Sequence, residues 1–158
     1  MTEFEESLQA EKPLPEVISV DEKIYTVTQI RVATFFGGPL VAGYLIAENF
    51  KAFNEYDKAK RTWLIAIGVT VTVFALIFAI PESVKIPNIA FPLIYSWATY
   101  ILVPKYQGQQ MQEHFRAEGQ SYNWGRAAVV GLIGLAVTLV LLAIGIFGFA
   151  LLFPSGVS

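Results

Sequence analysis

The chain has 158 residues, enough for one domain, of which 54% are hydrophobic and only 15% charged, with a mean hydropathy of +0.52. Soluble domains carry about a quarter charged residues, so this composition points to a membrane protein. A net charge of −2 with no concentrated basic face excludes a nucleic-acid footprint. The absence of cysteine excludes disulfides, thiolate nucleophiles and cysteine-held metal or cluster sites.

Residues 1–22 carry seven acids and one base, a local charge of −6, whereas the remainder carries +4. The opening MTEFEESLQAEK is acidic where a cleavable signal needs a basic start and an apolar run. The first span is therefore expected to act as the insertion signal. Residues 1–25 read as a solvated, flexible acidic tail. A sharper alternative is a docking strand built on Val17, Ile18 and Val20.

The first span is expected over about 29–50. Thr26 and Gln29 have the spacing of a capping box, with Tyr25 and Ile30 placed as a hydrophobic staple. Its uncharged core, 32–47, is sixteen residues. A span needs ~20, so its flanks must help, with Arg31 snorkelling to the headgroups. Phe35-Phe36-Gly37-Gly38-Pro39 lies inside it. Pro39 lacks an N–H, so the Phe35 carbonyl loses its partner and the helix is expected to kink. Ala33, Gly37, Gly43 and Ala47 form small pairs four apart, a close-packing face.

Residues 48–62 read as an interface-hugging linker carrying Lys51, Lys58, Lys60 and Arg61. Trp63 then opens a second span over 63–80, which Pro81 ends. Pro87 suits the first turn of a third span over 87–103, which Pro104 is expected to close. The short 81–87 connection makes spans two and three an antiparallel hairpin. Asn88, Pro92, Tyr95 and Thr99 share one face of the third span. A polar segment with a short helical pattern over 106–118 follows.

The last span, 127–153, precedes a short tail, 154–158. Ala127, Gly131, Gly134, Thr138, Leu141, Gly145 and Gly148 recur in steps of four and three, and six of the seven are small. That is the seam of helices at a shallow crossing. Its expected mate is the Ala33/Gly37/Gly43/Ala47 side of the first span; the alternative is a subunit interface. The fold class is thus an all-α integral membrane protein, a compact bundle of four transmembrane helices occupying 26–153.

The run ATFFGGPLVAGYLIAENF (33–50), with PNIAFP (87–92), resembles small multi-span bacterial membrane proteins of unknown function. The resemblance implies a bacterial inner-membrane protein and carries no activity and no site residues.

Seven Lys and Arg (51, 58, 60, 61, 105, 116, 126) fall on the connections after spans one and three, against Lys23, Arg31 and Lys85 on the other side. The positive-inside rule then predicts both long loops in the cytoplasm and both termini outside.

No Asp, Glu, Lys, Arg or His falls within 32–47, 63–80, 86–103 or 127–153. Proton relays, ion-coupled transport and intramembrane catalysis depend on such groups. His114, the one histidine, reads as a solvated loop residue without metal-ligand partners. No cofactor, metal or catalytic set is expected. A polar cavity formed by Asn88, Tyr95 and Thr99 with Phe35 and Pro39 is the best candidate site, although such residues more often tie helices together.

The leading functional reading is a non-enzymatic structural or accessory subunit. Its partners are the lipid bilayer and either itself or another membrane protein. The alternative is a small oligomeric channel or carrier built around the third span. A membrane enzyme using Glu48, Glu113 and His114 is the weakest reading.

Overall fold

The computed structural model describes residues 21–80, 84, 87 and 89–152. Those residues form four helices: α1 (Val27–Ala52), α2 (Tyr56–Ala79), α3 (Ala90–Arg116) and α4 (Trp124–Leu152). The bundle is all-helical among the described residues apart from one isolated bridge, Ile24 to Ser121. By length and composition α1, α2 and α4 are each apolar enough to cross a membrane. Large apolar side chains such as Leu64 (70% exposed) and Phe147 (68%) cover the outside of α2 and α4. Such faces need lipid or another apolar partner.

The first helix is the hub. Its start is fixed as the sequence predicts: Thr26 Oγ1 accepts from the Gln29 N–H at 3.2 Å, and Gln29 Oε1 accepts from the Thr26 N–H at 2.9 Å. Its middle is not a simple kink. Gly38 leaves helical geometry altogether, with φ 77° and ψ −171°, a region open almost only to glycine. Pro39 then starts a second helical segment, in the position where its missing N–H costs least. The chain has reversed. Tyr25, just before α1, and Asn49, near its end, are joined by hydrogen bonds of 2.7 and 2.8 Å. A straight helix of this length would hold its ends ~39 Å apart. The expected kinked rod over 29–50 is therefore a hairpin of two half-helices, 27–37 and 39–52.

Helices α2, α3 and α4 each pack on this hairpin, and these are the extensive helix–helix contacts among the described residues. Gly43 lies so close to Ala66 that a methyl group at 43 would overlap the Ala66 Cβ. Ala47, Phe50 and Ala59 continue the same α1–α2 contact. Gly131 faces Ala33, and Gly134 faces Gly37 and Val41. From α3, Ser96 Oγ donates to the Arg31 carbonyl at 3.3 Å and Gln107 Nε2 donates to the Ile46 carbonyl at 2.8 Å. One contact falls on each half of the hairpin.

Three boundaries differ from expectation. The 48–62 linker is instead helical on both sides of a turn at 53–55. Its Glu, Lys, Arg and Ala residues are good helix formers and extend both helices. Pro104 does not close the third helix. It sits inside α3, exposed, where the helix tolerates a lost amide bond, and α3 absorbs the short helix expected over 106–118. The tail gives way to packed chain by Ile24. The Ile24 N–H donates to the Gln120 carbonyl (3.2 Å), the Tyr122 N–H donates to the Ile24 carbonyl (2.9 Å), and Ile24 and Tyr25 are both 0% exposed. Val17, Ile18 and Val20 lie outside the described residues.

The turns that end α1 and α3 are built alike. Asn54 (φ 60°) and Glu118 (φ 63°) occupy the left-handed position after the helix. In each case the next residue's N–H reaches back five residues, Glu55 to Phe50 and Gly119 to His114. This is the Schellman arrangement, which satisfies the last carbonyls of a helix.

Candidate functional site

The described residues place their polar side chains mainly where the two ends of the hairpin meet. Asn49 is at the centre. Its Oδ1 accepts from the Tyr25 N–H, its Nδ2 donates to the Tyr25 carbonyl, and the same Nδ2 lies 3.4 Å from Gln107 Oε1. Gln107 spans Asn49 and the Ile46 carbonyl. Gln29 Nε2 donates to the Tyr122 carbonyl at 2.7 Å, linking the start of α1 to the segment before α4. All three amide side chains are buried. Buried amides need such partners, because an unpaired polar group away from water is costly.

A second layer surrounds them. Arg126, in the first turn of α4, donates from Nε to the Tyr25 hydroxyl at 2.9 Å, and its guanidinium sits 4.1 Å from the Tyr122 ring centroid. The rings of Tyr25 and Tyr122 are 4.5 Å apart. Burial pushes the Tyr25 phenol above its ordinary pKa, against the opposing pull of Arg126. Tyr25 therefore meets Arg126 as a neutral phenol.

His114 is not a solvated loop residue. It lies in the last turn of α3, 1% exposed, with Nε2 3.2 Å from the Gln120 carbonyl and its ring edge-on to Phe53 and Phe115. Gly119 leaves room for the ring, since a Cβ there would collide with it. Among the described residues no three His, Asp or Glu side chains form a group that could hold a metal.

The residues expected to form a polar cavity are distributed differently. Asn88 lies outside the described residues. Thr99 Oγ1 donates to the carbonyl of Tyr95 in its own helix at 2.7 Å. Phe35 packs edge-on against Phe36, and Pro39 opens the second half-helix. Among the described residues no hydrogen bond joins the α3 pair to Phe35 or Pro39. It is the Gly37 carbonyl, rather than that of Phe35, that receives a side-chain donor at the break, from Thr138 Oγ1 at 3.2 Å.

The α4 seam divides at this level. Ala127, Gly131, Gly134 and Thr138 face the hairpin. Above the hairpin tip α1 is no longer there. Gly145 meets the Phe78 ring of α2 instead, Phe149 stacks on Phe78 at 5.7 Å, and Gly148 has open space beside it. Gly43 and Ala47, expected against α4, face α2.

Sequence reasoning missed Asn49, Gln107 and the end-to-end pairing. One signal was present. Gln107, Met111 and His114 fall four and three apart and form a buried stripe on α3. Reading Pro104 as a helix end hides that stripe.

No family model matches this chain, and no match appears among curated proteins or solved structures.

Proposed function

We propose that this chain is a non-enzymatic integral membrane protein, a structural or accessory subunit that packs with itself or with a larger membrane complex. One observation carries the reading: the buried amides Asn49, Gln107 and Gln29 spend their hydrogen bonds on the chain's own backbone, holding the hairpin ends together. The bundle uses its polar groups for its own shape and presents apolar flanks outward. A channel or carrier reading draws no support from α3, where Thr99 and Ser96 bond to helix carbonyls.

The same reading includes a topology. The hairpin is re-entrant. Its halves are roughly 17 and 21 Å long, against a hydrocarbon core of about 30 Å, so it enters and leaves on one face. Irregular backbone at that depth is tolerated only where protein surrounds it, and Gly37 and Gly38 are buried. Helices α2 and α4 then cross, and α3 with the uncharged run 86–104 makes the third crossing, in place of the four spans expected.

Charge supports this arrangement. All nine Lys and Arg of the described residues lie in the half of the bundle where the hairpin ends meet, and in the sequence a single lysine, Lys85, falls between α2 and α3. The expectation of both termini outside rested on a seven-to-three bias. With the hairpin folded back, the bias is stronger and favours residues 21–25 on the cytoplasmic side and the end of α4 on the other. The resemblance of 33–50 and 87–92 supports the inner membrane of a bacterium.

Two measurements test the proposal. A cytoplasm-only reporter is expected to be active on the N-terminus and silent after Ser158; activity after Ser158 would overturn the topology. Mass measurement after gentle detergent extraction is expected to give a self-assembly or a complex. A lone monomer under every mild condition would overturn the subunit reading.

A further inference from the structure

Two depressions meet beside the closed end of the hairpin. One is an open polar cleft of about 790 Å³, bordered by Lys23, Arg126, Ser121 and Asn123. The other is a groove of about 200 Å³ between the first half of α1 and α4, walled by Val32, Phe36, Ala128 and Leu132. Gln29 and Trp124 border both, so the polar cleft and the apolar groove adjoin at these two side chains.

The cleft has two cations on its border and no carboxylate. Its arginine is already oriented, because Nε is held by the Tyr25 hydroxyl and the guanidinium sits over Tyr122. A planar fork fixed in advance loses little freedom when it takes a phosphate. From Trp124 to Leu132 the groove follows α4 for about 12 Å, the length of part of an acyl chain. We propose that this compound site binds one anionic glycerophospholipid, with its phosphate between Lys23 and Arg126 and one acyl chain along the groove. The inference rests on the membrane reading above, with this end of the bundle at headgroup depth. Basic pockets beside membrane helices on the cytoplasmic side suit such headgroups. The acidic segment 1–22 could meet the same two cations. It also carries the apolar Val17, Ile18 and Val20, so the test below must separate the two occupants: with that segment in the site, the chain would retain the two lipids equally.

The test uses the full chain in mild detergent with equimolar phosphatidylglycerol and phosphatidylcholine, and reads bound lipid by native mass spectrometry. One phosphatidylglycerol is expected to be retained over phosphatidylcholine. Lys23→Gln removes an exposed cation with no packing role and is expected to lower that preference ~5-fold, the effect of one cation at an anionic surface. Ala128→Phe fills the groove from its exposed side and is expected to lower retention several-fold. A control, Lys51→Gln with Lys105→Gln, removes charge from the same end away from the cleft and is expected to leave the preference intact. Equal retention of the two lipids by the unmodified chain would overturn the proposal. So would a control as damaging as Lys23→Gln, which means diffuse attraction, or full retention by Ala128→Phe, which means a small-anion site. Recovering every variant from the membrane fraction keeps a failure of this test separate from a failure of the membrane reading.

Discussion

The side-chain amide of Asn49 pairs with both backbone groups of Tyr25, accepting from its N–H at 2.7 Å and donating to its carbonyl at 2.8 Å across 24 residues of chain. A carboxamide carries a donor and an acceptor side by side, as a peptide unit does. Asn49 thus stands in for a neighbouring strand at a position where Tyr25 has no helix to complete its bonding. Because Tyr25 precedes one half-helix and Asn49 lies in the last turn of the other, this pair closes the hairpin.

Replacing Asn49 with Leu is expected to be among the most damaging single changes. It keeps the branched shape and leaves the Tyr25 N–H and carbonyl buried without partners, together with one side of Gln107. Each such group costs ~1–3 kcal/mol, so the two Tyr25 groups alone imply a loss of about 2–6 kcal/mol, read as a lowered unfolding midpoint in detergent. Asn49→Asp keeps the acceptor but loses the donor and buries a charge, and should be no better tolerated. A midpoint unchanged in both variants would mean that Asn49 does not close the hairpin.

The reversal itself can be measured as a distance. The chain has no native cysteine, so Lys23→Cys and Lys51→Cys, both exposed, can carry a pair of spin labels. Folded-back half-helices packed 8–10 Å apart put the labels on the order of 10–20 Å from each other. A continuous helix would separate them by roughly 42 Å. A single long distance would remove the hairpin, and the re-entrant topology with it.

Much of this fold is visible in local pattern. Thr26 and Gln29 form the capping box their spacing predicts, and the small residues Gly131 and Gly134 approach Ala33 and Gly37. The Gly37-Gly38-Pro39 break is visible too, but not its size. Proline alone bends a helix by tens of degrees. It is the conformation of Gly38 that turns the chain back, and nothing in the spelling of two adjacent glycines says which one leaves the helix. The Tyr25–Asn49 closure is a pairing of distant residues that no period or motif encodes. The division of the α4 seam follows from the reversal. Once α1 stops at mid-height, Gly145 has only α2 to meet.

The α1–α2 contact offers a compensation experiment. A methyl group at Gly43 would fall on Ala66 Cβ, with the Ala66 Cα and the Thr62 carbonyl each 3.7 Å away. Gly43→Ala should push α2 outward and cost about 1–3 kcal/mol, as overpacking does. Ala66→Gly leaves a small gap and lowers helix propensity by up to ~1 kcal/mol. Combining the two moves one methyl group across the interface. The double variant should be more stable than Gly43→Ala alone, with a favourable coupling of at least ~0.5 kcal/mol. Strictly additive midpoints would show that the two helices do not touch at this point.

Gly38 separates backbone strain from crowding. A Cβ at 38 would meet only Thr138 Oγ1, at 3.6 Å, an ordinary contact. Space therefore does not forbid alanine there; its φ of 77° with ψ −171° does. Holding an L-residue in that region costs of order 1–3 kcal/mol, so Gly38→Ala should destabilise by about that amount or straighten the break. Gly148→Ala is the matched control. Nothing lies within 4 Å of a Cβ at Gly148, and inside a helix alanine is favoured over glycine by up to ~1 kcal/mol, so this variant should be neutral or slightly more stable. The two outcomes can be read together from unfolding midpoints and the Lys23–Lys51 label distance. If Gly38→Ala were as harmless as Gly148→Ala and left the distance short, the reversal would not depend on the glycine conformation at 38. The turn would then have to be held by the Asn49 closure and the Thr138 bond to the Gly37 carbonyl alone.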